Sequence, residues 1–82
     1  MQQYKIDVLN YTAAQSVRSD CADITFYNTG NANVIINSAV TLTAGQSISF
    51  AANAGELDRT IYDFKFGTGS QPKIAIFRKI YI

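Results

Sequence analysis

The sequence predicts an all-β domain: a small antiparallel β-sandwich of about seven strands, jelly-roll-like or Ig-like, with no substantial helix. Three observations point there. Apolar side chains recur with a period of two along most of the chain, the signature of a pleated strand with one face covered. Clusters of Asn, Gly, Ala and Ser punctuate the strands at spacings of roughly 8–12 residues. No segment repeats apolar residues at helical spacing beyond a single turn. The 82 residues make one domain, 1–82, and a chain of this length buries only roughly 60% of the surface its unfolded form exposes.

Residues 3–9 set Tyr4, Ile6 and Val8 on one side against Lys5 and Asp7 on the other. This is a half-buried strand, placed at an edge or paired with a neighbouring subunit. Residues 10–23 are polar and irregular and read as a loop crossing between two sheets. Residues 22–28 form a strand with Ile24 and Phe26 against Thr25 and Tyr27. A turn follows at 28–31, where Asn and Gly accept the positive φ angles of a hairpin. Residues 33–37 carry the β-branched centre Val34-Ile35-Ile36, which suits a pleated surface.

Residues 40–43 are a short strand, and Ala44-Gly45 turns the chain into 46–51. There Ile48 and Phe50 point inward and Ser47 and Ser49 outward. A turn at 53–55 leads to the strand 60–66, with Tyr62, Phe64 and Phe66 on the core face and Ile61, Asp63 and Lys65 on the other. Buried aromatics of this kind remove about 150–250 Å² each from water. After a Gly/Ser loop at 67–72, residues 73–82 form the last strand. Both its faces are largely apolar, which requires cover on both sides.

Composition narrows the function classes. Net charge is +1 and only 16% of residues are charged, so no basic surface draws nucleic acid or anionic lipid. Histidine is absent and Cys21 is the sole cysteine, which removes an internal disulfide and a structural zinc site. Of the usual staples of a small domain, oligomerisation is left, the alternative being that an ordinary β core suffices. Residues 1–10 lack a signal-peptide core, and no run approaches the ~18 apolar residues of a membrane span.

No residues here form a catalytic set. A serine nucleophile lacks a histidine base and an elbow motif, and Gly67-x-Gly69 lies between strands rather than before a helix. Glu56 and Asp58 lack the dense alternation of a calcium loop and suit turn amides or Arg59 better. The expectation is a protein that is not an enzyme, with no metal and no cofactor. The apolar terminal strand nominates Phe77, Lys79, Ile80, Tyr81 and Ile82, with Tyr4, as an assembly interface. Tyr11, Tyr27, Asn31 and Asn33 are the candidates for ligand contact.

The combination of Asn28-Thr29-Gly30, Val34-Ile35, Asn37, Leu42, Ala44-Gly45-Gln46-Ser47, Gly55-Glu56-Leu57-Asp58-Arg59-Thr60 and Tyr62 resembles a pattern in small β-sandwich proteins of bacteriophage particles. These are capsid decoration, vertex and fibre-base modules, and the resemblance spans residues 24–66. It implies a virion structural protein, made in the host cytoplasm without a signal peptide. It implies a homo-oligomer, trimer or pentamer, that docks onto other capsid proteins. It supplies no catalytic residues. The alternative is a carbohydrate-binding β-sandwich module, on a virion surface or free-standing, that takes a glycan through exposed tyrosines and Asn-rich loops.

Overall fold

A computed structural model describes residues 3–19, 23–51 and 57–82. Eight strands run through them: β1 (Tyr4–Tyr11), β2 (Gln15–Arg18), β3 (Asp23–Asn28), β4 (Val34–Ile36), β5 (Val40–Leu42), β6 (Ser47–Ala51), β7 (Ile61–Phe66) and β8 (Ile74–Tyr81). They form two four-stranded antiparallel sheets, ordered β1-β8-β3-β6 (sheet A) and β2-β7-β4-β5 (sheet B). The pairs β1·β8, β2·β7, β3·β6 and β4·β5 are nested like one long hairpin. Rolling that hairpin up adds β8·β3 and β7·β4. This is jelly-roll connectivity, and it decides between the two sandwich topologies the sequence left open.

The core lies between the sheets. Ile24 and Phe26 of β3 and Ile74 and Ile76 of β8 meet Val34, Ile36, Leu42, Tyr62, Phe64 and Val17 of sheet B. Phe26, Phe50 and Tyr62 interlock at its centre, with ring centroids 5.1 to 6.2 Å apart. The inward sets expected on the strands at 22–28, 46–51 and 60–66 are the ones observed. Alternation identifies them because each of these strands has one covered face.

Two expectations change. The loop at 10–23 contains β2, an edge strand of sheet B that makes the strand count eight. Only Val17 of its four residues is buried, so it carries no apolar period to read. The turn at 28–31 is not a hairpin with positive φ. Among the described residues, left-handed backbone occurs at Asn37, Ser38 and Gly45. Asn37 and Ser38 sit at the centre of the turn closed by the Ala39 N–H donating to Ile36 O, which joins β4 to β5. Asn28 instead ends β3 fully buried. Its amide donates to Ala32 O (2.8 Å) and Leu42 O (2.9 Å), and its Oδ1 accepts from the Gly30 N–H (3.1 Å). The expected turn at 53–55, Glu56 and Cys21 lie outside the described residues.

Close backbone approach, not turn geometry, explains Gly30. A Cβ there would lie 2.2 Å from Gln71 O and 2.6 Å from Lys73 N. Its bare backbone lets the β3–β4 crossing lie on the β7–β8 loop. Asn31 fastens the two, with its N–H donating to Gln71 O (3.0 Å) and its Oδ1 accepting from Gln71 N–H (2.8 Å).

Candidate functional site

The alternation in β1 sets Tyr4, Ile6 and Val8 on one face without saying which face is covered. The structure turns them outward, at 54%, 55% and 49% exposure. The register supplies the reason. Asp7 of β1 lies opposite Arg78 of β8, and Arg78 is on the inner face because it continues the Ile74, Ile76 side. Asp7 accepts from Arg78 Nε at 3.1 Å and pairs with its Nη2. Arg78 Nη1 also donates to Arg18 O and Ser19 O, both at 3.3 Å, tying sheet A to the end of β2. With Asp7 inside, Leu9 and Tyr11 follow it and pack against the core, and the even-numbered apolar residues face solvent.

The outer face of sheet A can be read row by row. Ile6, Lys79, Asp23 and Ala51 lie side by side, then Val8, Phe77, Thr25 and Ser49. Tyr4 lies opposite Tyr81, and Lys79 Nζ stands 4.6 Å from the Tyr4 ring centroid, a cation–π contact. The face therefore grades across the sheet. Its β1–β8 half is apolar and aromatic, and its β3–β6 half is hydroxylated, with Thr25 Oγ1 and Ser49 Oγ hydrogen-bonded at 2.8 Å. A shallow groove of about 330 Å³ runs between Tyr4, Ile6, Asp23, Thr25, Phe77 and Lys79.

The nominated assembly residues divide. Tyr4, Phe77, Lys79 and Tyr81 share this outer face, and Ile82 is exposed at 69% beyond it. Ile80 does not belong with them. It lies on the inner side of β8 and packs against the core, because strand residues of equal parity share a face. The nomination omitted Ile6 and Val8, although their alternation with Tyr4 was visible in the sequence.

The nominated ligand residues do not converge. Tyr11 is on the inner face, its ring 5.5 Å from Phe64. Tyr27 is exposed on the outer face of sheet A. Asn31 is engaged with the 70–71 loop, donating to Ser70 Oγ at 3.0 Å. Asn33 is exposed at the end of sheet B, its carbonyl accepting from the Gly67 N–H at 2.8 Å.

Asp58, weighed as a turn residue, acts as one. Its Oδ1 accepts from the Thr60 N–H and its Oδ2 from the Tyr62 hydroxyl. Burial pushes its pKa up, but hydrogen bonds from Thr60, Tyr62 and Ser19 outweigh it and hold the carboxyl below its ordinary value. Among the described residues no three of His, Cys, Asp and Glu gather where they could hold a metal ion, and no helix is long and apolar enough to cross a membrane.

No family model matches this chain, and no curated protein does. Among solved structures, it is similar to a de novo designed double-stranded beta-helix, at 14% identity and a TM-score of 0.44, covering 94% of this chain and 97% of that one.

Proposed function

We propose that this chain is a non-enzymatic structural protein of a bacteriophage virion, a decoration, vertex or fibre-base component that works by self-association and docking onto the shell. The observation that carries the reading is the outer face of sheet A. Tyr4, Ile6, Val8 and Phe77 stand together on it, each more than a third exposed. Single exposed apolar residues need no explanation, whereas a contiguous group marks a contact surface. The one lysine and one aspartate facing each other across its strands, Lys79 and Asp23, leave the face neutral, so a second copy meets no like-charge barrier. The low charge of the whole chain fits a protein that spends its life in an assembly.

A second reading has its own observation. The groove between Tyr4 and Phe77 places Asp23, Thr25 and Lys79 beside two aromatic rings, a combination that suits a sugar ring stacked on an aromatic and hydrogen-bonded at its edge. Light scattering across a dilution series, run beside a glycan-array screen, separates the two. A closed oligomer that survives dilution and binds no glycan is the expected result. A monomer with saturable glycan binding overturns the assembly reading in favour of the second.

A further inference from the structure

The apolar half of the outer face borders the open edge of sheet A. β1 is that edge: among the described residues it pairs with β8 alone. It is eight residues long and contains no proline. Long apolar edges of this kind are templates for another strand. Resting on the assembly reading above, we propose that a second copy of this chain pairs its β1 with this β1, antiparallel about a two-fold axis through Ile6, so that sheet A runs continuously through both molecules.

The hydrogen-bond phase restricts the register. The Ile82 N–H donates to Gln3 O at 3.0 Å, so Gln3 and the residues of equal parity direct their backbone groups to β8. Tyr4, Ile6 and Val8 then direct theirs to the open edge. A partner strand must match these residues to the same set, which places the two-fold axis at a residue rather than between two. An axis at Lys5 sets Lys5 against the partner's Lys5, and an axis at Asp7 sets two aspartates together. Like charges directly opposite destabilise a strand pair. An axis at Val8 sets Asp7 against the partner's Leu9 and leaves both charges unmatched.

The axis at Ile6 sets Lys5 opposite the partner's Asp7, and Asp7 opposite the partner's Lys5. It sets Tyr4 against the partner's Val8, and Ile6 against the partner's Ile6. Both Arg78 bonds to Asp7 go to Oδ2, which leaves Oδ1 for the incoming lysine. Three hydrogen-bonded pairs, each exchanging two bonds, give about six new backbone bonds. The contact is isologous, as two-fold contacts between identical chains are. It also joins the two Tyr4-Ile6-Val8 stripes into one apolar band bordered by Phe77 of each copy.

Two variants of the full chain test the contact by light scattering, with far-UV circular dichroism and the melting temperature as controls. Ile6→Pro removes an N–H that faces the open edge and so costs β8 no bond; proline is tolerated in this position of an edge strand. Lys5→Glu sets a carboxylate against the partner's Asp7 and leaves the backbone alone. The expected result is a wild-type mass of an even copy number, with both variants raising the dissociation constant more than tenfold while the β signal is kept. If Ile6→Pro unfolds, Lys5→Glu decides. An odd copy number, or a wild-type mass kept by the variants, overturns the edge contact and leaves the assembly reading standing. A wild type that is monomeric at every concentration overturns both.

Discussion

The two outer faces of the sandwich carry different surfaces over the same core. Sheet B shows solvent Ser16 and Arg18 of β2, Thr41 of β5, and Asp63 and Lys65 of β7, with Ile61 exposed among them. The Ser16 hydroxyl bonds Asp63, its cross-strand neighbour, and the Asp63 N–H bonds Asn37 Oδ1 at 2.8 Å. Ser16 and Asp63 are satisfied locally, and for the remaining polar side chains water is an adequate neighbour. Sheet A shows Tyr4, Ile6, Val8 and Phe77, whose apolar surface gains nothing from water. The difference teaches that strands of sheet A carry large apolar residues on both sides, one side holding the fold and the other left to solvent. On β8, Ile74 and Ile76 hold the domain, and Phe77, one residue on, is left outside.

If the sheets differ only outside, truncating either half of the shared core should cost the same. Phe26→Ala in sheet A and Phe64→Ala in sheet B are each expected to lose about 3–5 kcal/mol, read by urea denaturation. That is a large share of the roughly 4–12 kcal/mol typical of a domain this size. A marked inequality between them would show that one sheet carries the core.

Polar substitution sharpens the comparison on the outside. Phe77→Ser is expected to weaken self-association about tenfold or more in a sedimentation dilution series, while stability falls by only about 1–2 kcal/mol because the side chain is partly exposed. Ile61→Ser on sheet B, starting from greater exposure, should leave association where it was. Equal effects of the two would remove the distinction between the faces.

The smallest effect is expected from acid. The carboxyl of Asp58 lies below its ordinary value. Its ionised form therefore contributes stability that is complete above the ordinary carboxylate pKa of about 3.9 and is lost as pH falls through the lowered value. In melting curves below about pH 4, wild type should lose stability more steeply than Asp58→Asn. Parallel slopes would mean that Asp58 is not a source of the acid sensitivity.

Much of the fold was legible in the residues. The strands β3, β6 and β7 alternate cleanly because each has one covered face. β8, apolar on both sides, is central in its sheet, between β1 and β3. β2 was not legible, since four residues with a single buried side chain give periodicity nothing to act on. In β1 the period was legible and its direction was not. Alternation says that two faces differ, and only the cross-strand partner says which is inside. Here that partner is Arg78, a charge in an isoleucine row, which draws Asp7 inward and sends the apolar residues out. The buried role of Asn28 was likewise hidden, because Asn before a Thr-Gly pair reads as a turn. Its amide serves two carbonyls, one of them distant in sequence.

The nested pairing also sets the order in which the domain can be made. β4 meets β5 across the Asn37–Ala39 turn, whereas β1 must wait for β8, from the opposite end of the sequence. Closing such distant contacts is slow, and chains dominated by them fold in about milliseconds to seconds. β1 is then the last strand for which a partner exists, and until it docks, one side of β8 lies open. An edge left open in this way is a template for any strand of matching pattern, so the late docking of β1 leaves β8 exposed longest during folding.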